Sequence, residues 1–280
     1  MSTYLPLREI LRSSTLPQNE ARILLAHILE MHYQLPRSAL LSRDDMGLNT
    51  NALADWKRLE TRRLQGEPIA YLVGKKSFHK IELQVGPGTL IPRPETELLV
   101  EIGLHEIARL DGKAQVLDLG TGSGAIALAI ASEAPHSQII ATDQSSEALV
   151  IARSNAQHLN LESQVKFMQG SWYEAIGQDT VFDLILSNPP YIQKGDPHLM
   201  QGDLRFEPLE ALTDQAHGLS CLITIIAGAS NHLNPTGLIA VEHGFDQSDA
   251  VVELMRSAGF VDIQTHLDLA GHYRVVSGRK

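Results

Sequence analysis

Beyond Pro94 the chain alternates short apolar runs with helical segments, and this alternation limits the possible folds more than any other feature. The apolar runs are QVLDLG, QIIATD, VKFMQ, VFDLILS and GLIAVEHG. Apolar strands connected through helices pair in parallel, and the helices cover both faces of the sheet. We therefore expect an α/β protein with a doubly wound, mainly parallel sheet, whose ligand crevice lies at the carboxyl ends of the strands.

The last two strand candidates are an exception to parallel pairing. VDIQTHLD and HYRVVSG are joined too closely for a helical crossover. Antiparallel strands need only a short turn, so we expect the final strand to be antiparallel to its neighbour.

The first 73 residues have a helical pattern instead. Apolar residues, with one histidine among them, recur at helical spacing in two sets: Ile23, Leu24, His27, Ile28 and Met31, and then Leu53, Trp56, Leu59 and Leu64. This predicts an N-terminal helical bundle over residues 1–73. Strand-like alternation in FHKIELQV predicts a hairpin linker over 74–92, and the sheet domain would occupy 93–280.

Composition excludes several classes of function. A net charge of −10 argues against broad contact with nucleic acid phosphates. The histidines and the single cysteine, Cys221, lack the spacing of a metal site, so we expect neither a metal nor cysteine chemistry. No apolar stretch reaches spanning length and the first residues lack the pattern of a secretory signal, which predicts a soluble, cytoplasmic protein without a membrane partner. We expect a monomer.

Residues 117–124, LDLGTGSG, follow a strand and open a helix near Ser123. Gly120, Gly122 and Gly124 permit close approach of the backbone to a ligand, and the helix start presents free N–H groups. With Ala125 the stretch also fits the relaxed dinucleotide pattern G-x-G-x-x-G/A, so a nicotinamide enzyme is an alternative.

Two acidic residues accompany this loop. Asp143 ends QIIATD, where a carboxylate can bind both hydroxyls of a ribose. Alternatively, Asp143 only begins the next helix, with Ser145 or Ser146 as its cap. Asp118 lies inside the first strand, where we expect it either to organise the glycine loop or to meet a cationic ligand.

The stretch SNPPYIQ at 187–193 predicts a stiff loop at the same crevice. An amide or aromatic amine nitrogen is a weak nucleophile, and its two N–H groups need two acceptors during alkylation. The Asn188 side-chain oxygen and the Pro189 carbonyl can accept them, and Tyr191 can stack on the planar group. Pro189 and Pro190 would hold these groups in place before substrate binds.

The chain resembles the HemK/PrmC-type protein-glutamine methyltransferases over nearly its whole length. Besides the glycine loop and NPPY, the stretches that carry the resemblance are GEPIAYLVG, LIPRPETELLV, RFEPLEAL and EHGFDQ. NPPY alone is shared with adenine methyltransferases of DNA and RNA, whereas IPRPETE is far more specific. The resemblance implies a Rossmann-like class I methyltransferase fold, S-adenosyl-L-methionine as cofactor, and methylation of the Gln of the Gly-Gly-Gln motif in class I peptide chain release factors.

The resemblance also implies roles for individual residues. The cofactor would contact Gly120, Thr121, Gly122, Ser123, Gly124, Asp143, Trp172 and Asn188, and the substrate glutamine would contact Asn188, Pro189, Pro190 and Tyr191. The catalytic residues would be Asn188, Pro189 and Tyr191. Trp172 could instead fill the core.

Other residues of these stretches stay open or depart from the family. Arg93, Glu95 and Glu97 either begin a helix or shape the transfer site. Phe206 stands where many relatives have Tyr, and we interpret His243 as structural.

Two alternatives to a glutamine methyltransferase remain. The first is an adenine methyltransferase acting on nucleic acid, against which the acidic charge and the lack of an extended basic region argue. The second is a non-catalytic adaptor that binds only the cofactor or the release factor.

Overall fold

The computed structural model describes residues 5–280, which form two compact units that divide after Gly74. Residues 1–4 lie outside the described residues. They include the start of the predicted helical bundle and the first residues of the stretch that lacks the pattern of a secretory signal. No helix among the described residues is both long and apolar enough to cross a membrane.

The first unit is helical, as its sequence periodicity predicts. Its helices are α1 (Leu7–Ser13), α2 (Gln18–Tyr33), α3 (Ala39–Ser42), α4 (Thr50–Leu64) and α5 (Ile69–Val73). Asn49 caps α4 by accepting a hydrogen bond from the Ala52 N–H at 2.9 Å, which satisfies one of the free donors at the helix start.

The buried face of α2 differs from the predicted one. It consists of Ala21, Leu24, Leu25, Ile28 and Leu29, whereas the side chain of Met31 is 48% exposed. In α4 the last predicted apolar position, Leu64, is also exposed. In a helix rich in apolar residues, spacings of 3 and 4 residues fit several overlapping faces. The face predicted from periodicity is therefore rotated relative to the face that packs.

A two-stranded hairpin begins the second unit. β1 (Lys75–Phe78) pairs antiparallel with β2 (Ile81–Gln84) across a turn in which His79 has a φ of 50°. Phe78 and Leu83 belong to the apolar core of this unit. The hairpin predicted over 74–92 is therefore packed into the sheet unit by its own side chains.

A seven-stranded sheet forms the centre of the second unit. Its strands are β3 (Gln115–Leu119), β4 (Gln138–Asp143), β5 (Val165–Gln169), β6 (Phe182–Ser187), β7 (Leu233–Glu242), β8 (Val261–Leu267) and β9 (Tyr273–Arg279). Their order is β5-β4-β3-β6-β7-β9-β8. The first five are parallel, and β9 is antiparallel to both β7 and β8, so the predicted fold class is confirmed.

Helices cover both faces of this sheet. They are α6 (Glu97–Arg109), α7 (Ala125–Glu133), α8 (Ser146–Leu159), α9 (Leu209–Leu212), α10 (Ser220–His232) and α11 (Ser248–Ser257). Successive residues of β3 point to opposite faces: Val116 packs in the core formed with α6 and α7, and Leu117 in the core formed with α10 and α11. Both faces are buried, which explains the continuous apolar runs in the sequence.

Candidate active site

A cavity lies at the carboxyl ends of β3, β4 and β6, as expected for an open parallel sheet. Its walls come from the glycine loop, the segments that follow β4, β5 and β6, one segment that precedes β3, and one segment later in the chain. The lining residues are Gly88, Thr89, Leu90, Pro92, Thr96, Gly120, Thr121, Gly122, Ser123, Ala125, Ile126, Asp143, Gln144, Ser145, Ala148, Gly170, Ser171, Trp172, Asn188, Pro190, Pro208, Glu210 and Ala211. Most of the predicted site residues are therefore brought together.

The glycine loop has the backbone conformation that its composition predicts. Gly120, Gly122 and Gly124 have φ values of 73°, 56° and 86°, in the left-handed region that residues with a Cβ rarely adopt. Because Gly124 is left-handed, α7 begins at Ala125 and not near Ser123. Gly124 does not line the cavity: a Cβ there would lie 2.8 Å from Leu128 Cδ1, so its small size serves packing.

Asp118 holds this loop from inside the sheet. Its Oδ2 accepts hydrogen bonds from the Thr121 hydroxyl at 2.6 Å and from the Ala127 N–H at 3.3 Å. Burial raises the pKa of the Asp118 carboxyl to about 7, against the effect of these two bonds. The carboxyl organises the loop, which is the first of the two roles expected for it.

Asp143 connects the glycine loop to the following helix. Its Oδ2 accepts from the Gly122 N–H and its Oδ1 accepts from the Ser145 N–H, both at 2.8 Å. Burial raises the pKa of Asp143, and the two backbone bonds act in the opposite direction. Ser145 caps α8 with its own hydroxyl, so Asp143 shares the helix start while also lining the cavity.

Trp172 forms an aromatic wall beside the glycine loop. A Cβ at Gly120 would lie 3.4 Å from Trp172 Cζ3, so the indole lies directly against that glycine. Trp172 is half-buried and also packs against the core on the α10 face. The two interpretations of this residue are compatible, because one part of the side chain lines the cavity and another part packs.

Asn188 follows β6 and lines the cavity. Its Nδ2 donates a hydrogen bond to the Thr96 Oγ1 at 2.9 Å. The side-chain oxygen of Asn188 takes no part in this hydrogen bond. That oxygen is the acceptor that alkylation of an amide requires. Thr96 was not among the predicted site residues, although it lies in the PRPETE segment that the sequence singled out.

The other NPPY residues take different positions. Pro190 lines the cavity, whereas Pro189 is buried and neither Pro189 nor Tyr191 is among the lining residues. The Tyr191 hydroxyl donates to Glu242 Oε1 at 3.3 Å, and burial raises the pKa of Tyr191. Glu242 ends β7 beside β6 and is 1% exposed; the stretch EHGFDQ contained it, but no role was predicted for it.

Two hydrogen bonds to Glu207 connect the LIPRPETELLV segment to a wall of the cavity. Glu207 accepts hydrogen bonds from the Ile91 N–H at 2.9 Å and from the Arg93 guanidinium. The Glu207 side chain is fully buried, and the next residue, Pro208, lines the cavity. Arg93 therefore positions a cavity wall, whereas Glu97 accepts a hydrogen bond from the backbone N–H of His79 at 3.0 Å.

Three further residues lie outside the cavity lining. His243 is fully buried and its Nδ1 lies 2.7 Å from the Gly244 carbonyl oxygen, which agrees with a structural role. Phe206 lies under the Arg205 guanidinium, 5.0 Å from ring centroid to Cζ. Cys221 is half-buried in α10, and burial raises the pKa of its thiol to about 11, which keeps it protonated.

Comparison with known proteins identifies related families and a related fold. The family described as Methyltransferase small domain matches residues 95–203, and the one described as PrmC N-terminal domain matches residues 7–74. The structure of the Thermus thermophilus 16S rRNA N2 G1207 methyltransferase in complex with AdoMet and guanosine has the same fold: the TM-score is 0.53, with 19% identity over 74% of this chain and 49% of that one. The fold and the site define a class I methyltransferase.

Two curated proteins show which methyltransferase family this chain is similar to. The release factor glutamine methyltransferase of Burkholderia pseudomallei is 47% identical over 97% of this chain and 95% of its own length. The protein of the same name from Bordetella pertussis is 46% identical over 97% of this chain and 98% of its own length. The chain therefore belongs to the release factor glutamine methyltransferase family. The resemblance drawn from the motifs is confirmed, and the nicotinamide interpretation of the glycine loop is set aside.

Proposed function

We propose that this protein methylates the side-chain amide nitrogen of the glutamine in the Gly-Gly-Gln motif of class I peptide chain release factors, with S-adenosyl-L-methionine as the methyl donor. The names of its close relatives and the cavity at the sheet edge support this proposal.

The residues around the cavity suit a nucleoside-containing donor. Left-handed glycines give the backbone of the loop close access to a ligand. The Asp143 carboxylate can accept hydrogen bonds from ribose hydroxyls, and the Trp172 indole can lie against the adenine. When bound, the cofactor supplies an electrophilic methyl group. Gly120, Thr121, Gly122, Ser123, Asp143 and Trp172 would hold it, with Gly124 supporting the loop.

The observation that carries the acceptor assignment is the hydrogen bond between Asn188 and Thr96. An amide nitrogen has little basicity, and it becomes positively charged as it is alkylated. An Asn188 oxygen that faces the cavity, together with the Pro189 carbonyl, would accept its two protons and stabilise that charge. Pro190 and Tyr191 would confine the planar group, so catalysis would come from positioning and not from a covalent intermediate.

The substrate is, in this proposal, a protein and not a nucleic acid. The net charge of −10 favours this choice, since nucleic acid binding relies on clustered cations. We propose that the helical unit up to Gly74 docks the release factor. We also propose that the enzyme acts as a monomer in the cytoplasm, without a membrane partner.

The test is mass spectrometry after incubation with a labelled methyl donor. Release factor should gain one methyl group on the Gly-Gly-Gln glutamine, and its Gln-to-Glu variant should gain none. Adenine-containing DNA and RNA serve as competing substrates, and their preferential methylation would overturn the assignment. A protein that binds the donor and the release factor but transfers nothing would be an adaptor.

A further inference from the structure

The side chain of Gln247 connects three segments that are far apart in the sequence. Gln247 stands at the N-cap position of α11, and its side chain bonds to other segments instead of that helix. Its Nε2 donates to the Tyr191 carbonyl at 3.1 Å and to the Gly218 carbonyl at 3.2 Å. Its Oε1 accepts from the Gly244 N–H at 2.8 Å. One amide group therefore joins the NPPY loop (residues 188–191), the segment before α10 and the loop between β7 and α11.

The backbone of two loops fits closely around this amide group. Gly218 has a φ of 80°, and a Cβ there would lie 2.5 Å from the Tyr191 carbonyl oxygen and 2.8 Å from Gln247 Nε2. A Cβ at Gly244 would lie 3.1 Å from Gln247 Oε1. Glycine at position 218 meets both the positive φ and the close approach to the NPPY loop. The Gln247 amide thus occupies a place that these glycines leave open.

The NPPY loop depends on its flanking residues for support. Proline has no N–H, so Pro189 and Pro190 cannot donate backbone hydrogen bonds. Before them, Ser187 belongs to β6, and its hydroxyl donates to a carbonyl of β3 at 2.7 Å. After them, the first backbone group that a side chain holds is the Tyr191 carbonyl, bonded by Gln247. The position of the Pro189 carbonyl therefore depends on one support on each side.

Tyr191 is held at two points by residues that end or follow β7. Its hydroxyl donates to Oε1 of Glu242, the last residue of β7, at 3.3 Å. Its carbonyl accepts from Gln247, five positions further along the chain. The next residue, Ile192, donates its N–H to the Leu212 carbonyl at 3.0 Å. Side chain and backbone of Tyr191 are thus fixed relative to β7, the strand beside β6.

We propose that Gln247 is a positioning residue for methyl transfer, which holds the NPPY loop so that Asn188 and the Pro189 carbonyl are in place for the methyl acceptor. Gln247 lies outside the cavity lining, so it acts through the loop and not by contact with the substrate or the donor. The effect on the rate rests on the proposed function. The support of the loop depends only on residues of this chain.

The first variant is Gln247→Met, which keeps the length of the side chain and removes its hydrogen bonds. A displacement of about 1 Å caused away from the reacting atoms can cost a rate about a hundredfold, so we expect the single-turnover rate on release factor to fall about tenfold to a hundredfold. Donor affinity by calorimetry and KM for release factor should change little. A loss in kcat with an unchanged KM is typical of groups that are misplaced for the reaction.

Gln164→Met is the matched control. Gln164 precedes β5 at the opposite edge of the sheet, and its Nε2 donates to the Ala134 carbonyl at 2.7 Å. The substitution is the same and it also removes a hydrogen bond from a side-chain amide to a backbone carbonyl. Its single-turnover rate should equal that of the wild type. An equal rate loss in Gln164→Met and Gln247→Met would assign the loss to general destabilisation and overturn the proposal.

Gln247→Glu separates the two ends of the amide, and it carries the test if Gln247→Met does not fold. A carboxylate can accept from the Gly244 N–H, but it cannot donate to the carbonyls of Tyr191 and Gly218. We expect the single-turnover rate to fall at least as far as in Gln247→Met. A wild-type rate in either Gln247 variant would overturn the proposal.

Amide hydrogen exchange in the free protein, followed by NMR, measures the support of the loop without any reaction. The Gly244 N–H should be protected in the wild type and in Gln247→Glu, and should lose its protection in Gln247→Met. The Ile192 N–H should exchange about tenfold faster in both Gln247 variants, because the carbonyl before it has lost its partner. In Gln164→Met both amides should exchange as in the wild type. Unchanged exchange at Ile192 in both Gln247 variants would contradict the proposed support.

A double-mutant cycle tests whether Gln247 acts through Asn188. In an Asn188→Ala background, Gln247→Met should cause a smaller rate loss than in the wild type, because one of the groups that it positions is already gone. Fully additive losses would overturn the inference. A wild type that leaves release factor unmethylated would instead contradict the proposed function, and the exchange measurements would still report on the support of the loop.

Discussion

Asp143 Oδ2 accepts a hydrogen bond from the Gly122 N–H at 2.8 Å, so the carboxylate that ends β4 holds the glycine loop that follows β3. Removing the Asp143 carboxylate has two effects: it takes away a predicted hydrogen-bond partner of the ribose, and it takes away a support of the glycine loop. We expect Asp143→Ala to weaken S-adenosylmethionine binding by about 1.5–3 kcal/mol, as for hydrogen bonds to a charged group. Isothermal titration calorimetry measures this change.

Ser145→Ala is the matched control for Asp143→Ala. It removes the cap of α8, which should lower the free energy of unfolding by about 1 kcal/mol, but it keeps the carboxylate. Its donor affinity should stay near that of the wild type. Equal affinities in all three proteins would mean that Asp143 supports the glycine loop and the start of α8 without contacting the donor.

Asn188→Ala should separate methyl transfer from donor binding. The lost oxygen acts on the charge that develops on the acceptor nitrogen, and removal of one such preorganised group lowers a rate by about a hundredfold to a thousandfold. Single-turnover measurements with saturating donor give the rate, and calorimetry should show retained donor affinity. A near-normal rate would refute the role of Asn188.

The sequence predicted the cavity better than the contacts that surround it. Strand ends of a parallel sheet meet at one edge, so LDLGTGSG, QIIATD and SNPPY could be placed together from their order alone. Thr96 and Asn188 are 92 positions apart, and Arg93 and Glu207 are 114 positions apart. Those side-chain pairs depend on how α6 and the segment after NPPY pack against the sheet, which no local pattern specifies. The rotated face of α2 has the same origin, because packing and not periodicity selects it.

Glu106 should make the stability of the second unit sensitive to acid. Burial raises the pKa of Glu106, but hydrogen bonds from Arg279 and Arg109 outweigh this and lower it from 4.5 to about 2. A lowered pKa means that the carboxylate contributes stability above pH 4.5 and loses it as the pH falls toward 2. We expect Glu106→Gln to lower the free energy of unfolding at neutral pH by about 1–3 kcal/mol.

Denaturant unfolding at several pH values tests this expectation. The difference between wild type and Glu106→Gln should shrink as the pH approaches the folded-state pKa of about 2. Glu253→Gln is the control: its pair with Arg256 is exposed on both sides, so its removal should have no measurable effect. A pH-independent difference would assign the loss in Glu106→Gln to packing.

Removal of residues 1–74 should leave a folded domain that binds the donor. The hairpin, the seven strands and the glycine loop all lie beyond Gly74, and Phe78 and Leu83 complete the core of the second unit. We expect donor affinity by calorimetry to be retained and KM for release factor to rise. A truncated enzyme that methylates release factor as efficiently as the full chain would exclude a docking role for the helical unit.

A short Gly-Gly-Gln peptide should be a much poorer substrate than the folded release factor. Two glycines give the acceptor loop a narrow backbone, but glycine loses more conformational freedom on ordering than any other residue. A free peptide has no remote contacts to offset this loss, whereas the release factor can bind the helical unit as well, and such remote contacts raise the rate at the reacting centre. Comparison of kcat/KM for peptide and release factor, each with the full chain and with the chain lacking residues 1–74, measures the contribution. The truncation should reduce kcat/KM for the release factor and leave that of the peptide unchanged; equal reductions would show that the helical unit supports the catalytic unit and does not dock the substrate.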